Sequence, residues 1–263
     1  MSIVTRIRQK QIAQLIAKGT RLDGRGPTDY RETKIEQGII ERAEGSARVL
    51  LGRTEVLVGT KVETGEPFSD TPNEGVLTVN AELVPLASST FEPGPPDENS
   101  IELARIVDRG IRESKAIDTS KLVIEPGKSV FVVFVDVYVL NHDGNLIDAS
   151  ALAAVAALLN TKMPNYEVEE GAVKIKPGYT PLPMRKRPIT ITFAKIGDKL
   201  IVDPWLEEEQ VMDSRLSIAI DDDGNICAMQ KGGGAGFFTQ EQVVEAAKIA
   251  KEKAEEIRKK QNW

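Results

Sequence analysis

The amino-acid sequence predicts an α+β fold with helices laid on one face of β-sheets, and three observations predict it. Short runs rich in Val, Ile, Leu and Thr, divided by Gly and Pro, fill the first third of the chain. Two helical segments then flank one long apolar run. Four more strand-like runs follow and lead into a last helix. That order belongs to a layered α+β chain rather than to alternating βα units.

Residues 3–18 place Ile3, Ile7, Ile12, Leu15 and Ile16 at helical spacing, with Gly19 as the stop. Arg21-Leu-Asp-Gly-Arg-Gly-Pro-Thr28 is turn chemistry. Strands are predicted over 34–40, 47–51, 55–63 and 76–84. The Pro-rich stretch 91–98 is a stiff loop. Ser100 is the expected N-cap of the next helix, and Ile101, Leu103, Ala104, Val107, Ile111 and Ile117 are its expected buried stripe.

Residues 130–140 are almost continuously apolar, which predicts a strand covered on both faces. Residues 148–160 are apolar nearly all round, which predicts a buried helix. The Pro-, Gly- and Lys-rich stretch 161–188 reads as a connector with short β pieces. Strands are predicted again over 189–196, 199–203, 216–221 and 225–230, with Asp222-Asp-Gly-Asn225 as a hairpin turn. Thr239-Gln-Glu-Gln242 is a capping box that opens a helix to about residue 260. The expected organisation is an N-terminal helix at 1–20, a first domain at 21–165, a connector at 166–188 and a second domain at 189–263.

With 263 residues and 41% apolar content, a substantial core is possible, built from Val, Ile, Leu and Ala because aromatics make up only 5%. The net charge of −6 means that nucleic acid is not drawn by the overall field, so any RNA contact must be a local basic patch. A single Cys and a single His exclude a disulfide framework and a His/Cys zinc site. The N-terminus shows no apolar signal segment, and no run reaches the roughly 18 apolar residues of a membrane helix. A cytoplasmic protein without a membrane partner is expected.

Few residues carry chemistry. Lys231-Gly-Gly-Gly-Ala-Gly236 lacks the Lys-Ser/Thr ending of a nucleotide loop and reads as a flexible turn. Asp221-Asp-Asp-Gly-Asn225 has the wrong spacing for a calcium loop and reads as a hairpin. His142 has no neighbouring nucleophile and reads as a solvent-facing loop residue. Glu207, Glu208 and Glu209 with Asp203 and Asp213 are able to hold magnesium in principle, but a solvated acidic turn is the simpler reading. Arg105, Arg109 and Arg112 are spaced to share one helix face, continued by Lys115. Arg donates several hydrogen bonds from a planar fork and suits phosphate oxygens, so this stripe is the candidate RNA-backbone contact.

The order of these features resembles the RNase PH family. Arg21-Leu-Asp-Gly-Arg25 is similar to its N-terminal signature, and Gly52-Arg-Thr-Glu-Val-Leu-Val-Gly59 to its early strand. The stretch from Phe91 to Arg109 and Leu122-Val-Ile-Glu-Pro-Gly-Lys128 resemble the archaeal exosome branch. The resemblance implies an RNase PH-like fold: βα layers like those of ribosomal protein S5 domain 2, then a smaller second subdomain. Active members degrade RNA from its 3′ end with inorganic phosphate, and this chain departs from their pattern in three places. Where they carry an Arg pair, it has Glu98 and Asn99. Where their phosphate loop carries a hydroxyl and an Arg, it has Leu146 and Ile147. Where they carry two Asp, it has Glu209 and Arg215, although a shift of two residues would bring Asp213 to the second place.

The resemblance therefore implies a non-catalytic subunit with no catalytic residues, metal or cofactor of its own. It implies a catalytic RNase PH-type partner, three heterodimers in a hexameric ring, RNA-binding cap subunits, and single-stranded RNA held by Arg105 and Arg109, with Arg112 on the same face. Two other readings stay open. One is an autonomous phosphate-dependent 3′ to 5′ exoribonuclease using Asp203, Glu209 and Asp213 with magnesium. The other is a structural interaction protein with no RNA role.

Overall fold

A computed structural model describes residues 3–169, 172–261 and 263. Helix α1 (Ile3–Ala17) is followed by strands β1 (Thr33–Gln37), β2 (Gly45–Leu51), β3 (Thr54–Gly65) and β4 (Val76–Leu83). Helix α2 (Glu98–Glu113), a 3₁₀ turn at Thr119–Leu122, β5 (Val123–Glu125), β6 (Ser129–Asn141) and α3 (Leu146–Leu159) come next. The chain continues with β7 (Lys162–Glu169), β8 (Ala172–Pro181), β9 (Ile189–Ile196), β10 (Lys199–Val202), α4 (Leu206–Glu209), β11 (Ser214–Ile220), β12 (Ile226–Gly232) and α5 (Gln240–Gln261).

The first sheet has the order β1-β2-β3-β6-β4, with β5 added to β6; β4 runs parallel to β6 and the other pairs are antiparallel. The second sheet has the order β10-β9-β11-β12, all antiparallel. Helix α3 packs on β2 and β3 of the first sheet, on β9 of the second, and on α2. That position explains its composition. A helix with a sheet on either side has no solvent face, so Ile147 to Leu158 are buried all round and Ala is needed for close approach. Helix α5 covers β9 and β11 with Ala246, Ala250 and Ala254.

Several expectations change. The N-cap of α2 is Asp97, whose carboxylate accepts the Ser100 N–H at 2.8 Å; Ser100 sits a turn inside, and its own hydroxyl donates back to the Asp97 carbonyl. Ile101 faces solvent at 49% exposure, and Ile117 is buried but lies beyond the helix end. Among the described residues, strand β6 is covered on one face only. Its residues alternate between buried and half-buried, with Tyr138 at 37% exposure, because α2 and α3 pack on one side of the sheet only. Strand β1 stops at Gln37, where Gly38 turns the chain at φ +69°. Residues 162–169 and 172–181 pair as two long antiparallel strands, β7 and β8, in place of short pieces. Ile12 and Ile16 of α1 pack on Ala194, Ile196, Ile201 and Val211 of the second-sheet region. The side chains of Ile3 and Ile7 lie outside the described residues.

Candidate functional site

The head of α3 is where the two sheets meet. Asn145 is its N-cap, held at φ +53°, a conformation that Asn tolerates better than most residues because its short amide bonds locally. Its Nδ2 donates to Asp148 at 2.8 Å and to Asp203 at 2.8 Å. Asp148 Oδ2 also accepts from Tyr30 Oη (2.7 Å) and the Thr192 N–H (3.0 Å), whereas its Oδ1 is buried without a donor. Burial pushes the Asp148 carboxyl up to about 6 despite these bonds, and burial beside Asp148 pushes the Tyr30 hydroxyl well above its usual range.

Asp203 is fully buried among cations. Arg31 grips it with Nε and Nη2, and Arg25 Nη1 reaches it at 2.8 Å. Burial alone would raise its carboxyl; the hydrogen bonds and charge of Arg31 outweigh that and hold it low. The acidic turn that follows is not solvated. Glu208 is buried against Arg21, whose guanidinium also donates to the carbonyls of Val202 and Asp203. Arg21 and Arg25, the two arginines of the N-terminal signature, thus fasten residues 21–31 to the junction of β10 and α4.

Glu209 points the other way, into a cleft of about 270 Å³. Five of the six positions that depart from the active pattern line this cleft: Asn99, Leu146, Ile147, Glu209 and Arg215. Glu98, the first residue of α2, does not line it. Glu209 Oε1 accepts the Asn145 N–H at 2.8 Å, and burial pushes its carboxyl up to about 7 against the pull of that bond and of Arg215 and Arg31. Arg215 lies 2.8 Å from Glu102 of α2. His142 is half-buried in the same cleft rather than solvent-facing. It stacks on Phe91 (centroids 5.4 Å apart, planes at 17°) and burial lowers its pKa.

Asp213, which only the magnesium alternative would use as a metal ligand, accepts the Gly197 N–H at 2.7 Å, whereas Asp203 is bonded by Arg25, Arg31 and Asn145. Among the described residues no three Asp, Glu, His or Cys side chains converge as a metal site would require. The glycine-rich turn after β12 is packed rather than loose: Gly236 donates to the Asp213 carbonyl at 2.8 Å, and a Cβ at Gly234 would stand 2.1 Å from that oxygen.

Arg105, Arg109 and Arg112 all emerge on the exposed side of α2. Arg112 is engaged, bonded to Asp108 at 2.7 Å and to the Leu77 carbonyl at 3.0 Å. Arg105 and Arg109 have no acidic partner among the described residues, and Arg109 borders a small recess with Thr190, Ser217 and Gln230. Sequence reasoning missed Arg31 and Glu102, whose partners are remote in the chain and leave no local signal.

Comparison with known proteins places this architecture. Residues 29–164 match the 3′ exoribonuclease family, domain 1, and residues 186–253 match its domain 2, both of the RNase PH type. The chain is 57% identical over 262 residues to the exosome complex component Rrp42 of Thermococcus kodakarensis, covering 99% of this chain and 96% of that protein. It is 59% identical over 259 residues to the protein of the same name in Pyrococcus horikoshii, covering 98% and 94%. A chain of the solved Archaeoglobus fulgidus exosome with RNA bound to the active site superposes with a TM-score of 0.90 at 48% identity, covering 98% of this chain and 99% of that one. The chain belongs to the RNase PH-type 3′ exoribonuclease family.

Proposed function

We propose that this chain is a non-catalytic ring subunit of an archaeal exosome. In this reading it pairs with a catalytic RNase PH-type subunit, three such pairs close a ring, and cap subunits feed single-stranded RNA to it. The chain contributes a rigid two-sheet frame and the Arg105/Arg109 contact, which holds RNA phosphates so that the partner meets the scissile bond in register. That contribution is positional rather than chemical.

The observation that carries this reading is the make-up of the α3 cleft. A phosphate-using site places an anion at a helix N-terminus with a cation and a hydroxyl beside it. Here the helix opens with two aliphatic side chains, its Asn145 N–H is taken by the Glu209 carboxylate, and Arg215 is matched by Glu102. An incoming phosphate would meet a carboxylate and apolar walls, both of which oppose it. The magnesium-dependent alternative loses support from the same geometry, because Asp203 is taken up by Arg25, Arg31 and Asn145.

The test is reconstitution. The purified chain, given RNA and phosphate, is expected to release no nucleoside diphosphates. Activity is expected on mixing with an RNase PH-type subunit that retains the family's Arg pair, phosphate loop and Asp pair. Phosphate-dependent shortening of RNA by this chain alone would overturn the proposal.

A further inference from the structure

We infer that Glu209 is a built-in anion: its carboxylate occupies the oxyanion position at the head of α3, and the cleft admits an external oxyanion such as sulfate or phosphate only when that carboxylate is neutralised or removed. This deepens the non-catalytic reading and rests on it. The loop into α3 lacks the family's hydroxyl and Arg, and the Glu209 carboxylate stands in the phosphate's place.

The geometry is specific. Glu209 ends the short α4, which directly precedes the loop into β11, so its side chain is aimed back across the gap to α3. There Oε1 takes the Asn145 N–H at 2.8 Å, at the end of α3 where the helix dipole and free N–H groups favour negative charge. Arg215 supplies a cation to the same cleft, with side chain 15% exposed, and its Nη2 makes no well-formed hydrogen bond despite lying 2.8 Å from Glu102. A half-buried carboxylate, a helix N-terminus and a half-buried guanidinium thus form an anion site whose occupant is part of the chain.

The charged and titratable groups around Glu209 come from every neighbouring element: Arg31 before β1, Glu102 on α2, His142 and Asp143 after β6, Asp203 after β10 and Arg215 on β11. Arg31 is bound to Asp203 and Arg215 is paired with Glu102. Both cations pull the Glu209 carboxyl down, but burial outweighs them and raises it to about 7. The occupant is therefore one that protonation near neutrality can discharge.

Sulfate is the probe, because its charge is constant where phosphate titrates. Amide spectra of the full-length, ¹⁵N-labelled chain are recorded against sulfate at pH 8 for the natural protein and for Glu209→Ala. The expected result is a shift of the Asn145 and Leu146 amides in Glu209→Ala with a dissociation constant at least about tenfold lower than in the natural chain, the effect of one pKa unit of coupling. No sulfate shift in a folded Glu209→Ala chain, or an equal shift in the natural chain at pH 8, would overturn the inference. Should the variant not fold, the natural chain decides alone. Its Asn145 amide is expected to respond to sulfate at pH 5.5 and not at pH 8, and an unchanged response across that range defeats the idea. Neither result depends on RNA decay, so failure here is distinguishable from failure of the non-catalytic reading.

Discussion

Arg31 holds Asp203 in a two-pronged grip, Nε to Oδ2 at 2.9 Å and Nη2 to Oδ1 at 2.7 Å, and so ties the segment before the first sheet to the end of β10 in the second. The same guanidinium reaches the carbonyls of Asp143 and Gly144 at the head of α3. One side chain thereby fixes three pieces of backbone around the cleft. Removing it leaves a fully buried carboxylate with only Arg25, Asn145 and the residue-31 backbone N–H to compensate it. Arg31→Ala is expected to cost about 3–5 kcal/mol, the usual penalty for stranding one member of a buried ion pair. Urea unfolding measures it, and a loss below about 1 kcal/mol would show that the grip is dispensable.

A pH dependence follows from the two carboxyls that burial raises. Asp148 ionises at about 6 and Glu209 at about 7, against ordinary values of 3.8 and 4.5. In that window the folded chain binds more protons than the unfolded one. The stability they contribute is therefore complete below about pH 4 and is lost as pH rises through 6 and 7. Asp203, held low, acts in the opposite sense but only in stronger acid. Stability is expected to fall by about 4 kcal/mol between pH 5 and pH 8, about one pKa unit of it from Asp148 and nearly two from Glu209. Asp148→Asn and Glu209→Gln should each flatten the slope. An identical slope in the double variant would exclude these two groups as its source.

Most of the frame was legible in the sequence because it is written in local patterns. The run at 130–140, the Ala/Leu stretch after Asp148 and the Thr239 capping box each state their own structure. What the pattern could not state is what lies on the other side of an element. Apolar residues on the outer face of β6 looked like a buried strand, yet among the described residues no layer covers them. The Ala/Leu helix looked equally buried, and there the second sheet does cover it. The site shows the same division. Leu146, Ile147, Glu209, Arg215 and Asn99 were marked by sequence and meet in one cleft, but the contacts that fix their roles join residues far apart in the chain. Asn145 to Glu209, Arg215 to Glu102 and Arg31 to Asp203 have no spacing to read.

Gly144 marks where the loop into α3 must pass against α4. Its φ is +85°, and a Cβ there would stand 2.4 Å from the Leu206 nitrogen and the Trp205 carbonyl carbon. Those are backbone atoms, which cannot swing aside. Gly144→Ala should combine left-handed strain with a real clash and lose at least about 2 kcal/mol. It should also loosen the Asn145–Glu209 contact one residue on. Thermal unfolding of the variant checks the first point. A chain as stable as the natural one would mean that the α3–α4 approach is adaptable.

The α2 arginines divide into one structural residue and two free ones, and this division makes the RNA proposal testable. Arg112 is tied to Asp108 and to the Leu77 carbonyl, whereas Arg105 and Arg109 have no acid to answer them among the described residues. In the assembled ring, Arg105→Glu with Arg109→Glu should weaken single-stranded RNA binding at low salt by at least about tenfold. The slope of affinity against salt should fall by roughly one to two counterions, because a phosphate that no Arg neutralises keeps its condensed ion. Arg112→Ala should leave RNA affinity nearly unchanged and instead loosen the packing of α2 on β4. An unchanged salt slope in the double variant would remove RNA from this face of α2. Equal losses for Arg112→Ala would mean that its bond to Asp108 opens when RNA arrives.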